Sequence, residues 1–435
     1  MQSSYPPGPG WPAALQGLLF LRKRAWLMPE MRRRYGDVFT LSIPTYADNL
    51  VVFNRPEHIK EIFAADPADF HAGEGNHVIR PVVGEHSLFL TDEDEHARAR
   101  RLLIPAFTGA CMAGYGEIVA HLARAEVDRW AGCREIGAHE RACALTLEVI
   151  MRVVFGITDQ RTRDELAPRL LRIVNMGPLV PLAWAMPVLN HFGPWKRFHE
   201  DQKQIDFSLR IEIARRRHAA DLVDRNDVLS RLLRAGGEAG DSPLTDAELR
   251  DHLVTLLLAG HEPTAAALAW TLYELAEHPD IQERAYLAAR DDDEQYLEAT
   301  LKESMRLHTV VAAAIRKLTR DQVVAGWNLP AGTVVTTSIL LAHQRSDSYP
   351  DTWTYRPERF LTDEVEPNTW LPFGGGVRRC VGAAFSLMES TIVLREILNR
   401  FKLSRPQGEP PERGRIRNIT NVPSRGARLI IAPRT

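Results

Sequence analysis

One ten-residue stretch near the C-terminus constrains this chain more than any other: Phe373-Gly-Gly-Gly-Val-Arg-Arg-Cys380-Val-Gly382. Three consecutive glycines let the backbone take dihedrals that other residues avoid, and so approach something flat and close. The cysteine is predicted to open a helix ending near Phe401, where free N–H groups and the helix dipole favour a thiolate. The four cysteines (Cys111, Cys133, Cys143, Cys380) form no C-x-x-C pair and are too sparse for a disulfide framework, which points to a reducing compartment. A lone thiolate with no Cys or His beside it suits an axial bond to haem iron, not tetrahedral zinc. Taken alone, the same residues also describe a glycine loop before a helix with a buried structural cysteine.

Composition sets the outer limits. A length of 435 residues is compatible with about three domains or one large one. With 54 Lys+Arg against 56 Asp+Glu the net charge is -2, which excludes a nucleic-acid binder relying on bulk positive charge. A hydrophobic share of 45% with 25% charged residues permits a sizeable core and excludes global disorder. The opening MQSSYPPGPGWP reads as neither a signal peptide nor a membrane anchor. Ala14 to Leu21 is too short to span a bilayer and ends in Arg22-Lys23-Arg24. Leu253 to Leu275 carries His261, Glu262 and Pro263 at its middle, and reads as a buried helix.

The first third mixes signals. Phe39 to Ile43 and Leu50 to Phe53 read as strands around a turn, and Pro56-Glu57 opens a helix. From about Asp92 to His278 the pattern is helical, interrupted by the Pro-rich Asn175 to Trp195 and by the loop-like Ala235 to Pro243. Thr245-Asp-Ala-Glu248 fits a capping box, starting a helix to about Glu277 that is apolar on most faces. A further helix follows Asp291-Asp292-Asp293, with Leu297, Leu301 and Met305 as its core stripe. Strand runs Val310 to Ile315 and Thr333 to Leu341 come next, then an irregular segment from Arg345 to Arg379. Leu429-Ile430-Ile431 closes the chain as a strand.

Two further motifs accompany the cysteine. Glu303-Ser-Met-Arg306 places Glu and Arg on one helix face, and Pro357-Glu-Arg359-Phe360 supplies a second arginine. A buried Glu between two guanidinium groups would fix the irregular segment that delivers Cys380.

F-x-x-G-x-R-x-C-x-G, E-x-x-R and P-E-R-F in this order and spacing resemble the cytochrome P-450 family of haem-thiolate monooxygenases. The resemblance runs from Pro6-Pro-Gly-Pro9 and Arg34-Tyr-Gly-Asp37 to the C-terminal strands. It implies one fold over residues 1–435, mainly α with a small β-rich lobe (α+β). The β-rich part would cover about 30–90 plus strands at about 310–341, and the helical part about 92–309 and 380–401. Haem b would lie between the central helix, at Ala259 and Gly260, and the helix after Cys380.

Residue by residue, the resemblance makes Cys380 the axial thiolate, flanked by Phe373 and Gly382. Glu303, Arg306 and Arg359 become the structural triad. His96, Arg100, Arg316 and Arg378 match positions that hold the haem propionates, and Arg98, Arg101 and Arg379 face the side where an acidic ferredoxin docks. The other three cysteines are expected to be bystanders.

The departure lies in Ala259-Gly-His-Glu-Pro-Thr264. The family's usual acid–alcohol pair steers protons to dioxygen. Glu262 matches the acid, but Pro263 holds the alcohol position and costs about 3 kcal/mol in a regular helix. Thr264 is one candidate relay, about 100° further round the helix; ordered water or a substrate hydroxyl is the other. A plain structural role, bonding to a preceding carbonyl, is equally open for Thr264.

The family's substrate-facing segments correspond here to Val78, Ile79, Leu88, Phe89 and Val310, Val311, Ala312, Ala313, with Leu179 to Leu189 and Trp184 as a roof. They imply a lipophilic substrate of terpenoid, fatty acyl or polyketide type. With no flavin or nicotinamide domain, electrons are expected from a separate ferredoxin and ferredoxin reductase, and oxygen from O2. A cytoplasmic monomer without nucleic acid or membrane anchor is the expected setting. The rival readings are a peroxide-using peroxygenase or isomerase on the same fold, and a non-catalytic haem or ligand-binding protein.

Overall fold

The longest helix, Asp246–Glu277, runs through the middle of the protein. Its capping box forms as read: the Thr245 hydroxyl accepts from the Glu248 N–H at 3.2 Å, and the Glu248 carboxylate accepts from the Thr245 N–H at 2.8 Å. The structure is a computed structural model describing residues 5–44, 46–157, 159–174, 188, 191–238, 242–362 and 365–434. The helix stays continuous through Pro263. Most of it is buried, because helices pack on several sides: Ala138–Val153, Glu294–Leu307 and Ala383–Arg400 all contact it. Gly260 leaves room for the Ala138–Val153 helix, since a Cβ there would lie 2.6 Å from Ile150 Cδ1.

The β-rich part is a five-stranded sheet ordered Val38–Ile43, Ala47–Phe53, Val334–Ser338, Ala313–Leu318, Phe70–His71. Only the second and third strands of that order are parallel. The N-terminal helix Ala13–Tyr35 covers the sheet, burying Leu27, Met28 and Met31 against Phe39, Leu41 and Leu50. Pro56 begins the helix Pro56–Ala64, where its missing N–H costs nothing. Asp293 caps Glu294–Leu307 by accepting from the Gln295 and Tyr296 N–H groups. Glu135–Gly137, Arg428–Pro433 and Phe401–Ser404 form a second, three-stranded sheet.

Several sequence expectations shift. The strand expected from Val310 begins at Ala313. The strand expected to reach Leu341 stops at Ser338, whose hydroxyl accepts from the Leu341 N–H at 3.3 Å and starts the helix Ile339–His343. Helix Val228–Glu238 continues into the stretch read as a loop from Ala235. The helix expected to open at Cys380 begins instead at Ala383. The Pro-rich stretch around Trp184 lies outside the described residues, Val188 apart. Among the described residues no single helix is long and apolar enough to cross a membrane.

Candidate active site

Cys380 is positioned by a long irregular segment, and that segment is pinned from within. Glu303, fully buried on Glu294–Leu307, accepts from Arg306 Nε and Nη2 at 2.7 and 2.9 Å and from Arg359 Nε at 3.0 Å. A fourth bond comes from the Arg356 N–H at 3.1 Å. Both arginines are buried: Arg359 spends its other donors on the segment, at the Pro350 and Asp351 carbonyls, and Arg306 donates to the His343 carbonyl at the end of the helix just before it. His343 extends the clamp, its Nε2 accepting from the Leu371 N–H at 2.9 Å. Burial, and then the Arg306 charge, push His343 down to about 3, so it stays neutral and able to accept.

Two residues beyond Leu371 the glycine loop begins. Gly376 has φ +62°, and a Cβ there would lie 2.1 Å from the Phe63 carbonyl oxygen. Close approach therefore explains Gly375 and Gly376, but the neighbour is the Pro56–Ala64 helix. Gly374 and Gly382 differ: a Cβ on either would meet nothing within 4 Å, and both line a cavity. The Cys380 N–H donates to the Phe373 carbonyl at 2.9 Å, closing the loop. Cys380 itself opens onto the cavity. Burial pushes its thiol up, while the Gly382 backbone and the charges of Arg100 and Arg379 pull it back.

The cavity measures about 2050 Å³, beyond the roughly 300–1,000 Å³ of an ordinary small-molecule site. It has room for two occupants. One wall brings together His96, Arg100, Arg316 and Arg378. Burial and then the three guanidinium charges push His96 down to about 3. Burial also lowers Arg316 and Arg378 to about 10, with Asp92 opposing in each case. Arg378 pairs with Asp92, and Arg100 donates to the Arg379 carbonyl at 2.7 Å. Among the described residues neither Arg100 nor Arg316 has a carboxylate partner. Two guanidinium groups without a carboxylate partner, set beside His96 and Arg378 in a mostly apolar cavity, fit a flat, greasy dianion, and haem with its two propionates is such a group.

The central helix presents Ala259, Gly260, Pro263 and Thr264 to the cavity. Pro263 has no N–H, so the Ala259 carbonyl loses its usual donor. Glu262 points elsewhere, toward the hairpin Gly414–Arg417/Thr420–Pro423, where its Oε1 lies 3.1 Å from Arg417 Nε. Burial raises Glu262, opposed by Arg417 and by hydrogen bonds from Thr420 and Asn418. Thr264 Oγ1 sits 3.1 Å from Ser386 Oγ on Ala383–Arg400, so its partner is that hydroxyl and not a preceding carbonyl.

All eight apolar positions read as substrate-facing, Val78, Ile79, Leu88, Phe89 and Val310 to Ala313, line the same cavity. Arg98 is committed elsewhere, donating to Glu248 at 2.6 Å and to the Ser242 carbonyl at 2.8 Å. Arg379 is exposed. The 414–423 hairpin, which supplies Arg417 and Ile419 to the cavity, escaped the sequence reading. Its signal was the Arg-Ile-Arg-Asn-Ile-Thr-Asn-Val alternation, with Asn418 at φ 52° in the turn.

Comparisons with known proteins give the family and the fold. The family model described as Cytochrome P-450 matches residues 6–427. Cytochrome P-450 135A1 of Mycobacterium tuberculosis is 53% identical over 433 residues, covering 100% of this chain and 96% of that protein. Cytochrome P-450 135B1 of Mycobacterium bovis is 39% identical over 430 residues, 98% of this chain and 90% of that one. A solved structure of retinoic acid-bound cyanobacterial CYP120A1 superposes with a TM-score of 0.87 over 99% of both chains, at 23% identity.

Proposed function

The chain belongs to the cytochrome P-450 family, and from that premise we propose how its own residues serve a haem-dependent monooxygenation. Cys380 would supply a thiolate ligand to haem iron. Arg100 and Arg316, with His96 and Arg378, would hold the two propionates of haem b. Phe373, Gly382, Ala259 and Gly260 would line the space the haem takes. When bound, the haem supplies the dioxygen chemistry, and a thiolate ligand favours O–O cleavage.

Glu303, Arg306 and Arg359 act at a distance, by fixing the segment that carries the cysteine. Burial raises Glu262 and the Arg417 charge opposes that, so its part in proton supply runs through the Arg417 hairpin rather than by direct contact with the cavity. The Ala259 carbonyl, freed by Pro263, holds an ordered water or a substrate hydroxyl on the cavity side. That acceptor takes the place of the family's alcohol, while Thr264 ties the central helix to Ser386.

The substrate lies against Val78, Ile79, Leu88, Phe89 and Val310 to Ala313, which favour a terpenoid, fatty acyl or polyketide skeleton. The retinoic acid of the structural neighbour is likewise lipophilic. Electrons come from a separate ferredoxin and its reductase, docking near Arg379.

The observation that carries this reading is the one cavity joining Cys380, the Arg100 and Arg316 guanidinium groups and a mostly apolar lining. Turnover under isotopically labelled dioxygen, with ferredoxin and reductase supplied, tests it. One labelled oxygen atom in the product supports the reading, and label only from water or peroxide refutes it. Pro263 favours one second reading, a peroxide-driven peroxygenase; peroxide-supported turnover outpacing the ferredoxin-supported rate would select it.

A further inference from the structure

Arg378 lies two residues before Cys380 and lines the cavity, yet its guanidinium group is not free to turn. Nη1 donates to the Leu88 carbonyl at 3.2 Å and Nη2 to the Thr91 carbonyl at 2.6 Å, and Nη2 also pairs with the Asp92 carboxylate. All three acceptors belong to the segment that leads into the helix Glu93–Leu103, which carries His96 and Arg100. Asp92 is held in turn. Its Oδ1 accepts from the Gly73 N–H at 2.9 Å and its Oδ2 from the Glu74 N–H at 3.1 Å. Only glycine suits position 73, since a Cβ there would lie 2.1 Å from the Leu90 carbonyl oxygen and 2.7 Å from Asp92 Oδ2. One carboxylate, with its side chain 11% exposed, therefore joins the Cys380 loop, the start of the Glu93–Leu103 helix and the segment just before the cavity-lining Asn76 to Ile79.

Charge sets Asp92 apart as well. Among the described residues it is the one carboxylate that acts electrostatically on Arg316 and Arg378. His71, 3.8 Å from Asp92 Oδ2, already lies between Glu74 at 2.9 Å and Glu93 at 2.8 Å. Burial and the arginine charges keep His96 neutral. The wall thus presents three guanidinium groups, Arg100, Arg316 and Arg378, against one carboxylate. Two haem propionates would bring that cluster to neutrality; without Asp92 it would keep one positive charge. Such a charge is felt at a distance here, because a partly buried group is screened much less than a surface one.

We propose that Asp92 is a positioning residue of the haem site: it fixes Arg378 and supplies the counter-charge that brings the propionate-binding cluster to neutrality, and so holds the reduction potential of the haem down. This rests on the haem reading given above, which makes the propionates the groups that face Arg378. Removing the negative charge favours the state with one more electron, so the potential rises.

The test is the midpoint potential of the haem-loaded full chain, read by reductive titration with mediator dyes. Asp92→Asn, with its oxygen at the Oδ1 position, keeps the bonds from the Gly73 N–H and Arg378 and loses the one from the Glu74 N–H. Charge is therefore the main change, and the reduction equilibrium should shift about tenfold toward the ferrous form, about 59 mV upward. Asp92→Glu retains the charge and should stay within about twofold of wild type, even where haem content falls. Glu93→Gln removes a charge from the neighbouring exposed side chain and should also stay within about twofold. An Asp92→Asn potential within about twofold of wild type, a fall in that potential, or an equal rise in Glu93→Gln or Asp92→Glu would overturn the proposal. The comparison needs bound haem but not turnover. A wild-type carbon monoxide spectrum without the thiolate band would reject the haem-thiolate reading, and the same potential shift would still decide for or against Asp92.

Discussion

Glu303→Gln removes one charge while keeping nearly the same shape, so its cost isolates the buried clamp. In the native protein the carboxylate accepts four bonds, two from Arg306, one from Arg359 and one from the Arg356 N–H. Gln retains one acceptor oxygen and turns a donor toward guanidinium groups that are themselves donors. With its oxygen at the Oε1 position three bonds survive and the one from Arg306 Nε is lost, at about 1.5–3 kcal/mol, an amide donor now faces that guanidinium, and two buried cations lose their counter-charge. The expected destabilisation matches the roughly 3–5 kcal/mol found when one partner of a buried ion pair is removed. That is a large share of the ~5–15 kcal/mol that holds a typical protein folded.

Urea unfolding followed by circular dichroism measures the loss, and hydrogen exchange across residues 344–372 shows where it falls. Exchange there should accelerate before the central helix opens, with haem released at lower urea than in wild type. Arg359→Met added to Glu303→Gln should cost much less than it does alone, because the network is already broken. A Glu303→Gln protein within about 1 kcal/mol of wild type, or additive costs in the double variant, would refute the clamp.

Other expectations are quicker to check. Gly376→Ala forces a side chain into left-handed backbone, costing about 1–2 kcal/mol, with a Cβ 2.1 Å from the Phe63 carbonyl oxygen. Haem content should fall more than it does in Gly374→Ala, which has the same type of φ and open space. Thr264→Val should cost about 0.5–1.5 kcal/mol of stability through the lost Ser386 bond. It should leave peroxide release per electron unchanged; a rise would restore Thr264 as the proton relay. Burial depresses His139, His252 and His261 to about 4 and His343 to about 3, from 6.5. Each favours the folded state fully above pH 6.5, and that contribution is lost as pH falls toward its folded value, at up to about 1.4 kcal/mol per pH unit. Glu262 and Glu389, raised by burial, oppose this trend, but they are fewer. The urea midpoint should therefore fall between about pH 6.5 and pH 4; a midpoint that rises would contradict it.

Much of this was legible because the deciding interactions were local. Thr245 and Glu248 cap each other across one helical turn, Pro56 suits a first turn, and Asp293 caps its own helix. Sequence also located Cys380, Glu303 and the arginines, through motifs whose order is distinctive. What it missed depends on partners far along the chain. Ile339 to Leu341 reads as strand until the Ser338 hydroxyl turns the backbone. Gly375 and Gly376 are glycines because Phe63 lies against them, which no local pattern reveals. Glu262 reads as a cavity acid, yet it faces Arg417, more than 150 residues away.

The central claim is that Cys380 delivers a thiolate to haem iron. The reduced carbon monoxide difference spectrum of the haem-loaded protein tests this most directly. Wild type should give the strongly red-shifted Soret band of thiolate ligation, and Cys380→Ala should lose it. A wild-type spectrum without that band, or a Cys380→Ala spectrum that keeps it, would contradict the account.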